Sequence, residues 1–513
     1  MLDLQHAHFH PRYFGLAASA LALALTLTGC AVGPDFVRPT PAAPDDWTSW
    51  RSADDSLRAQ VGAGQPLASK WWQTFNDPVL ESMVRRALTS SPDLRTAALH
   101  FAQARVQRST TAAQRGPEVG VSASANRQRQ SEYGAGTRII DAISSDRAAL
   151  VNVLSEPFTL YQGGFDVSWE PDLWGRIRRS IEAADANVDH QAALLELAWL
   201  TLASDVARNY FELRSTQRQI RLAREDIAAL EDRLDILDAR VRGGVIDHLN
   251  LEQQRAELAA IKAQLPGLLA QEGAGANQIA LLLGERPGAL RETLMAHAAD
   301  DGKAALPDLT LGLPSEVALR RPDIRAAEAR LHRAIANIGV ARADLYPSIR
   351  LGARFGSESY LSGEFSAWGS RTWSIGPTLN LPLFDAGRRR GMVQLRELEQ
   401  QEAAVSYQRT VLKAWQEIDD ALSAYTAEQQ QAQQLEARVR SAGDAYQLAQ
   451  ARYEGGTVDF IAVLDSQRSF LQARRDLAVC EGRLNTGYVT INKAVANTQL
   501  DAETVEGRGS AVR

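Results

Sequence analysis

At 513 residues the chain is too long for one small core, and with 45% apolar and 23% charged residues its composition is that of a globular or long-helical protein. A net charge of −6, with no basic half or tail, points away from a nucleic-acid partner. Two cysteines, Cys30 and Cys480, allow at most one intrachain disulfide.

Residues 1–29 read as a lipoprotein signal peptide. Arg12 precedes the apolar run FGLAASALALALTL, which is shorter than the roughly 20 residues a spanning helix needs and fits a secretory h-region. The run ends Leu27-Thr28-Gly29-Cys30, which resembles a bacterial lipobox, so Cys30 is the expected lipidation site and the mature N-terminus. Cys480 is then left alone and is expected to pack as a small apolar residue on a helix. Ala31, rather than an aspartate, follows Cys30, in keeping with the outer membrane over inner-membrane retention. No later stretch approaches 18 consecutive apolar residues, so a membrane crossing would have to use strands closed into a barrel. Residues 30–70 form an extended N-terminal segment.

The remainder is duplicated. SPDLRTAALHFAQARVQRSTTAAQRGPEVGV, from Ser91, aligns without a gap to RPDIRAAEARLHRAIANIGVARADLYPSIRL, from Arg321, an offset of 230. A second block repeats at 212, where Gly175 meets Gly387, Gly243-Gly244 meets Gly455-Gly456, and Asp247 meets Asp459. The 18 residues by which the offsets differ fall in 118–174, where a long polar loop is expected at about 126–157. The first repeat covers 71–290, a linker 291–306, the second repeat 307–497 and a flexible tail 498–513.

Each repeat follows one plan. Asp77-Pro78 supplies an N-cap and first-turn pair, and further helices begin near Ser91-Pro92 and Arg321-Pro322. After Pro117 and Pro347 the apolar period changes from helical to two. Val119, Val121, Phe165, Val167, Ile349, Leu351, Phe355, Trp373 and Ile375 alternate with polar or small residues. This predicts strands at about 118–126, 158–170, 348–356 and 372–383, near the roughly 9–11 residues a tilted membrane strand needs. Four strands cannot close a barrel; two copies would supply eight and three twelve. Long helices are predicted over 175–242 and 387–454, with heptad steps at Ile227, Leu230, Leu234, Leu237 and Val241, and at Val411, Trp415, Ile418, Leu422 and Tyr425. The glycine pairs then reverse the chain about 100 Å from the strands. Return helices follow over 247–283 and 459–494, with Asp247 and Asp459 as caps and a kink or break expected at Pro266. The fold class is thus mainly α with a small membrane β part.

CAVGPDFVRP, WWQTFNDPVLESMV, GLPSEVALRRPDIRAAEARL and LPLFDAGRRR resemble the outer-membrane efflux protein family, the TolC-type channels, in their NodT/OprM-like lipoprotein branch. The resemblance covers essentially the whole mature chain. It implies a homotrimer, with a twelve-stranded β-barrel continuous with a twelve-helix α-barrel. The implied function is passive: a duct for small toxic compounds or drugs received from a proton-driven inner-membrane pump through a periplasmic adaptor. It implies no enzyme activity and no cofactor. The tips at Gly243, Gly244, Asp247, Gly455, Gly456 and Asp459 would form the adaptor-facing entrance. Asp465 matches a position of the family's constricting carboxylate ring; Ala462 stands at an often acidic position, and Asn250 at its counterpart after the first tip. Three copies of Asp465 around an axis would attract cations and repel one another.

Arg176, Arg178 and Arg179, and Arg388, Arg389 and Arg390, begin the long helices, where cations oppose the macrodipole. They are expected at the periplasmic rim of the barrel, paired with inner-leaflet lipid phosphates of the outer membrane. Among rival classes, a periplasmic adaptor or coiled-coil lipoprotein would carry one hairpin rather than two; a type I protein-secretion duct would share the architecture. The histidines show no metal-ligand spacing, and neither a nucleophile elbow nor a phosphate-binding loop is present.

Overall fold

The structure is a computed structural model that describes residues 31–46, 50–57, 70–134, 147–244, 246–296 and 314–497. The expected signal peptide, Cys30 and the C-terminal tail lie outside the described residues. The chain divides into two compact units, one containing the sheet and the other most of the helix.

In the first unit, β1 (Glu118–Gln128), β2 (Phe158–Trp169), β3 (Ser348–Ser359) and β4 (Arg371–Asn380) form one antiparallel sheet in chain order. β-branched and aromatic residues at alternate positions favour this pleated form. The register sets Val121, Phe165, Phe355 and Trp373 in one row, and Val119, Val167, Ala353 and Ile375 in the next. The opposite face carries Ser122, Asp166 and Arg354, joined by a Ser122–Asp166 hydrogen bond of 2.7 Å and an Asp166–Arg354 ion pair of 3.6 Å. Both faces are largely open: on the apolar face Trp373 is 74% exposed and Ile375 77%, and on the polar face Ser122 and Arg354 are exposed. Where a polar loop is expected, the stretch between β1 and β2 holds a helix, α3 (Arg147–Ser155), with Val151 of its apolar stretch buried. The N-terminal segment lies extended in this unit: the Val32 amide donates to the Trp174 carbonyl at 3.1 Å, and Asp35 pairs with buried Arg179 at 2.6 Å.

The second unit packs helices around one large core. In chain order through both units the helices are α1 (Pro78–Ser90), α2 (Pro92–Ala113), α3, α4 (Arg176–Arg242), α5 (His248–Leu283), α6 (Arg291–Ala296), α7 (Pro314–Arg320), α8 (Pro322–Ala343), α9 (Arg388–Glu454) and α10 (Phe460–Ala494). α4 and α9 each run 67 residues, roughly 100 Å. All five heptad residues from Val411 to Tyr425 are buried, packed with Trp71, Leu80, Met83, Tyr210, Ile279 and Tyr488. Leu230 and Leu237 of α4 are likewise buried in the two smaller clusters further along the hairpins. Pro266 does not divide α5, which continues through it; its ring is exposed, so the carbonyl left without a donor can face water. Cys480 is a buried free thiol, with Glu428 Oε2 at 3.3 Å; burial, aided by that carboxylate, pushes its pKa up to about 12.

Ionic contacts join distant sequence in this unit. Arg51 meets Asp419 at 2.5 Å, pinning the N-terminal segment to α9, while the Trp415 indole donates to the Ala42 carbonyl at 2.9 Å. Asp226 of α4 is buried between Arg474 and Arg475 of α10, at 3.2 and 3.7 Å. Burial raises its pKa and outweighs the two guanidiniums.

α1 begins at Asp77, whose carboxylate accepts from the amides of Val79 and Leu80 at 2.8 and 3.0 Å. The same carboxylate accepts the hydroxyl of buried Tyr210 at 2.5 Å. Asp77→Ala therefore removes a cap worth about 1 kcal/mol and strands a buried hydroxyl at a further cost of about 1–3 kcal/mol. Asp77→Asn, which keeps an acceptor, should lose clearly less. Thermal unfolding of both variants, followed by circular dichroism, checks the order.

Candidate functional site

The two hairpin turns are built alike. Gly243 donates to the Ala239 carbonyl and Gly455 to the Ala451 carbonyl, both at 3.0 Å; Gly244 then donates to Val241 at 2.9 Å and Gly456 to Tyr453 at 3.0 Å. Gly244 and Gly456 both take φ +71°, in the left-handed region where a Cβ is strained. Space is not the constraint, because a Cβ at either position would meet nothing within 4 Å. The second turn is further closed by the Thr457 amide and hydroxyl, which both donate to the Arg452 carbonyl, at 2.9 and 3.0 Å.

The caps differ between the turns. Asp247 accepts from the Leu249 amide at 3.4 Å. Asp459 holds the N-cap position of α10 in extended backbone but makes no side-chain cap bond, a departure from the expectation. Its carbonyl accepts the Ala462 amide at 3.1 Å, so part of the capping is carried by the main chain.

Behind the turns lies a joint apolar cluster. Leu237, Leu251, Phe460, Val463 and Leu464 are buried, with Leu234, Val241, Ile246, Tyr446, Ala449 and Tyr453 against them. All four helices contribute, so the two tips are one packed body rather than two free arms. The sequence reading placed the turns but not this sharing, since heptads show which faces are apolar and not which helix they meet.

Asp465 follows Leu464 on α10 and is exposed; among the described residues its carboxylate has no hydrogen-bond or ion-pair partner. Asn250 is half-buried and Ala462 exposed. The basic side chains nearby are engaged. Arg468, one turn beyond Asp465, pairs with Glu257 of α5 at 2.6 Å; Arg255 pairs with Glu252 at 2.7 Å, and Arg242 with Asp238 at 3.1 Å. Arg233 lies over the Tyr446 ring at 5.4 Å and donates to Gln450 at 3.1 Å. Cross-hairpin neutralisation by Arg468 and Glu257 was missed from sequence, because the partners are 211 positions apart and only the packing of α5 on α10 joins them. The result is a local carboxylate whose charge no neighbouring cation cancels.

The arginine clusters require a correction. Arg176 donates twice to Glu170, at 3.0 and 3.1 Å, and Arg178 lies 3.5 Å from Asp172. Arg179 is buried between Asp35 and Glu182, at 2.6 and 2.7 Å, and Arg389 pairs with Asp385 at 3.5 Å. These four guanidiniums are neutralised within the chain, which removes the reason to assign them to lipid phosphates. The Asp172 carboxylate also accepts the Ile177 and Arg178 amides, at 2.9 and 2.8 Å, and so supplies the anionic end that the start of α4 favours. Arg388 and Arg390 are exposed.

Known proteins resemble this chain in sequence and fold. The outer membrane efflux protein family model matches residues 83–285 and 313–497. Outer membrane protein OprJ of Pseudomonas aeruginosa is 32% identical over 455 residues, covering 88% of this chain and 89% of OprJ. The pyoverdine export outer membrane protein OpmQ of Pseudomonas putida is 33% identical over 490 residues, covering 94% and 98%. Among solved structures, the outer-membrane channel OprN superposes with a TM-score of 0.81 at 31% identity, covering 91% of this chain and 99% of that one.

The turn geometry makes a paired prediction. Gly456→Ala forces a side chain into positive φ at about 1–2 kcal/mol. Gly455→Ala should be near neutral, since its added Cβ meets only ordinary contacts at 3.5 and 3.7 Å. Hydrogen exchange of residues 452–458 should quicken about fivefold or more in the first variant and stay unchanged in the second.

Proposed function

The chain belongs to the outer membrane efflux protein family, and from that membership we propose how it forms a duct. It is the outer-membrane channel component of a tripartite efflux system, working with a periplasmic adaptor and an inner-membrane pump. In our reading the working form is a homotrimer, lipid-anchored through Cys30, in which three sheets close a twelve-stranded barrel and three helical sets close a twelve-helix tunnel. The pump is proton-driven, and the cargo is a small toxic organic compound.

The observation that carries this reading is the sheet. β1 and β4 are edge strands of 11 and 10 residues, exposed along their whole length. Such edges pair with another chain unless they are blunted, and lipid tolerates them only when closed into a barrel. One open face is apolar and the other polar, the alternation of a membrane barrel with a wet interior.

The adaptor would meet the tips around Gly243, Gly244, Asp247, Gly455, Gly456 and Asp459. Inside them, Asp465 would stand three times around the axis and hold the entrance selective for cations, with Asn250 as a neutral neighbour. This use of Asp465 is supported by its exposure and by the engagement of the nearby arginines.

Two measurements test the reading. Unheated protein in mild detergent should migrate at three times the mass of the mature chain and collapse to that mass on boiling; a monomer before heating would remove the trimer. In planar bilayers, Asp465→Asn should bring the cation preference close to none while Gln467→Glu, at a buried position, should not restore it. Unchanged selectivity in Asp465→Asn would exclude Asp465 from the entrance.

A further inference from the structure

The segment between β3 and β4 does not hang free beyond the sheet. It folds into two short 3-10 turns, Ser362–Glu364 and Trp368–Ser370, and returns against one particular face. The face is identified by register. Gly163 pairs with Ser357, and Ser357 with Arg371, one row beyond Phe165, Phe355 and Trp373 and on the same side of the sheet. On β1, β2 and β3 this row carries only small residues, Ala123, Gly163 and Ser357. Phe365 fills the space they leave, its ring tip 3.0 Å from where a Cβ on Gly163 would stand. The Ser357 hydroxyl donates to the Phe365 carbonyl and lies 3.2 Å from the Ser370 carbonyl; the Ser370 hydroxyl donates to the Glu364 carbonyl at 2.7 Å. The loop is therefore fastened to the apolar face through the Phe365 ring and the Ser357 hydroxyl, and is closed on itself by Ser370 and Glu364.

What it presents there is amphipathic. Trp368 is 78% exposed, Tyr360 65% and Leu361 50%. The Arg371 guanidinium stacks on the Trp368 ring at 3.8 Å, and among the described residues it has no carboxylate partner. Indole and phenol rings with an unneutralised cation, at the end of an apolar band, match the boundary layer of a membrane, where aromatic rings gather and basic side chains meet phosphate. Plugging the barrel would require the loop to lie over the opposite, polar face that carries Asp166 and Arg354.

We propose that the β3–β4 loop is an outer-leaflet anchor, seated on the lipid-facing side of the sheet, with Trp368 in the interfacial layer and Arg371 against the phosphate groups of outer-leaflet lipid. It follows that this loop leaves the outer mouth unobstructed. The inference rests on the barrel reading above, and the two can fail separately.

The test places single cysteines in a Cys480→Ala background, labels them with bimane, and reconstitutes the full-length protein in phosphatidylethanolamine–phosphatidylglycerol vesicles. Ile375→Cys, on the apolar face, should be quenched by brominated lipid, and Thr378→Cys, on the polar face, by iodide; the reverse pattern would sink the barrel reading itself. With that pattern in place, Trp368→Cys should be quenched by brominated lipid severalfold more than by iodide. Stronger iodide quenching, or quenching by neither (a subunit interface), would overturn the anchor. Adding Phe365→Ser should shift the Trp368→Cys label toward iodide. The phosphate contact has its own readout. Phosphorylated lipid A should raise the unfolding temperature of the wild-type protein more than dephosphorylated lipid A does. Arg371→Gln should lose most of that difference; a variant that keeps it would remove Arg371 from the proposal.

Discussion

Each edge of the four-stranded sheet carries a row of backbone amides and carbonyls that no other described strand of this chain pairs. In water such an edge invites unwanted association; in lipid every unsatisfied group costs several kcal/mol. Among the described residues no helix is long and apolar enough to cross a membrane, so helical spanning is not the remedy for this part of the chain. On the barrel reading proposed above, the edges make the protomer a fragment of a closed object. The duplication, the paired hairpins and the open apolar face all take their sense from that incompleteness.

Duplication sets how the fragment is made. The two repeats produce the same helix lengths, 22 residues for α2 and α8 and 67 for α4 and α9. Yet their environments diverge. The cap bond of Asp247 has no counterpart at Asp459, and the exposed Asp465 follows only the second turn. The interior of the tip is shared while its charges are not. A structural duplicate has thus become two unequal halves, one chiefly packing and one bearing the free carboxylate.

The arginines that open α4 illustrate how composition misleads. Three cations in four residues at a helix start look like an invitation to an external anion. The chain answers them itself, with Glu170 and Asp172 just upstream, Glu182 one turn on and Asp35 from the N-terminal segment. Glu170, Asp172 and Glu182 were in plain view in the sequence. Asp35 was not, because 144 positions separate it from Arg179 and no local rule joins them. Likewise the helix at 147–155 rests on one apolar stretch inside a segment that is polar on the whole.

Local chemistry was legible wherever it acts over a few residues. Period-two alternation around Val119, Phe165, Phe355 and Trp373 marks strands because side chains alternate faces. Heptads from Val411 to Tyr425 mark the buried stripe of α9, and Gly244 and Gly456 mark turns because only glycine takes positive φ without strain. The sequence by itself thus determined which segments are helix or strand, which faces are apolar and where the chain reverses. Only the tertiary structure decided which apolar faces meet in one tip cluster, that Arg468 is cancelled by Glu257 while Asp465 stays unpaired, and on which side of the sheet Phe365 lands. Those outcomes depend on contacts between residues far apart in sequence, and close-range propensities carry no information about partners that only packing brings together.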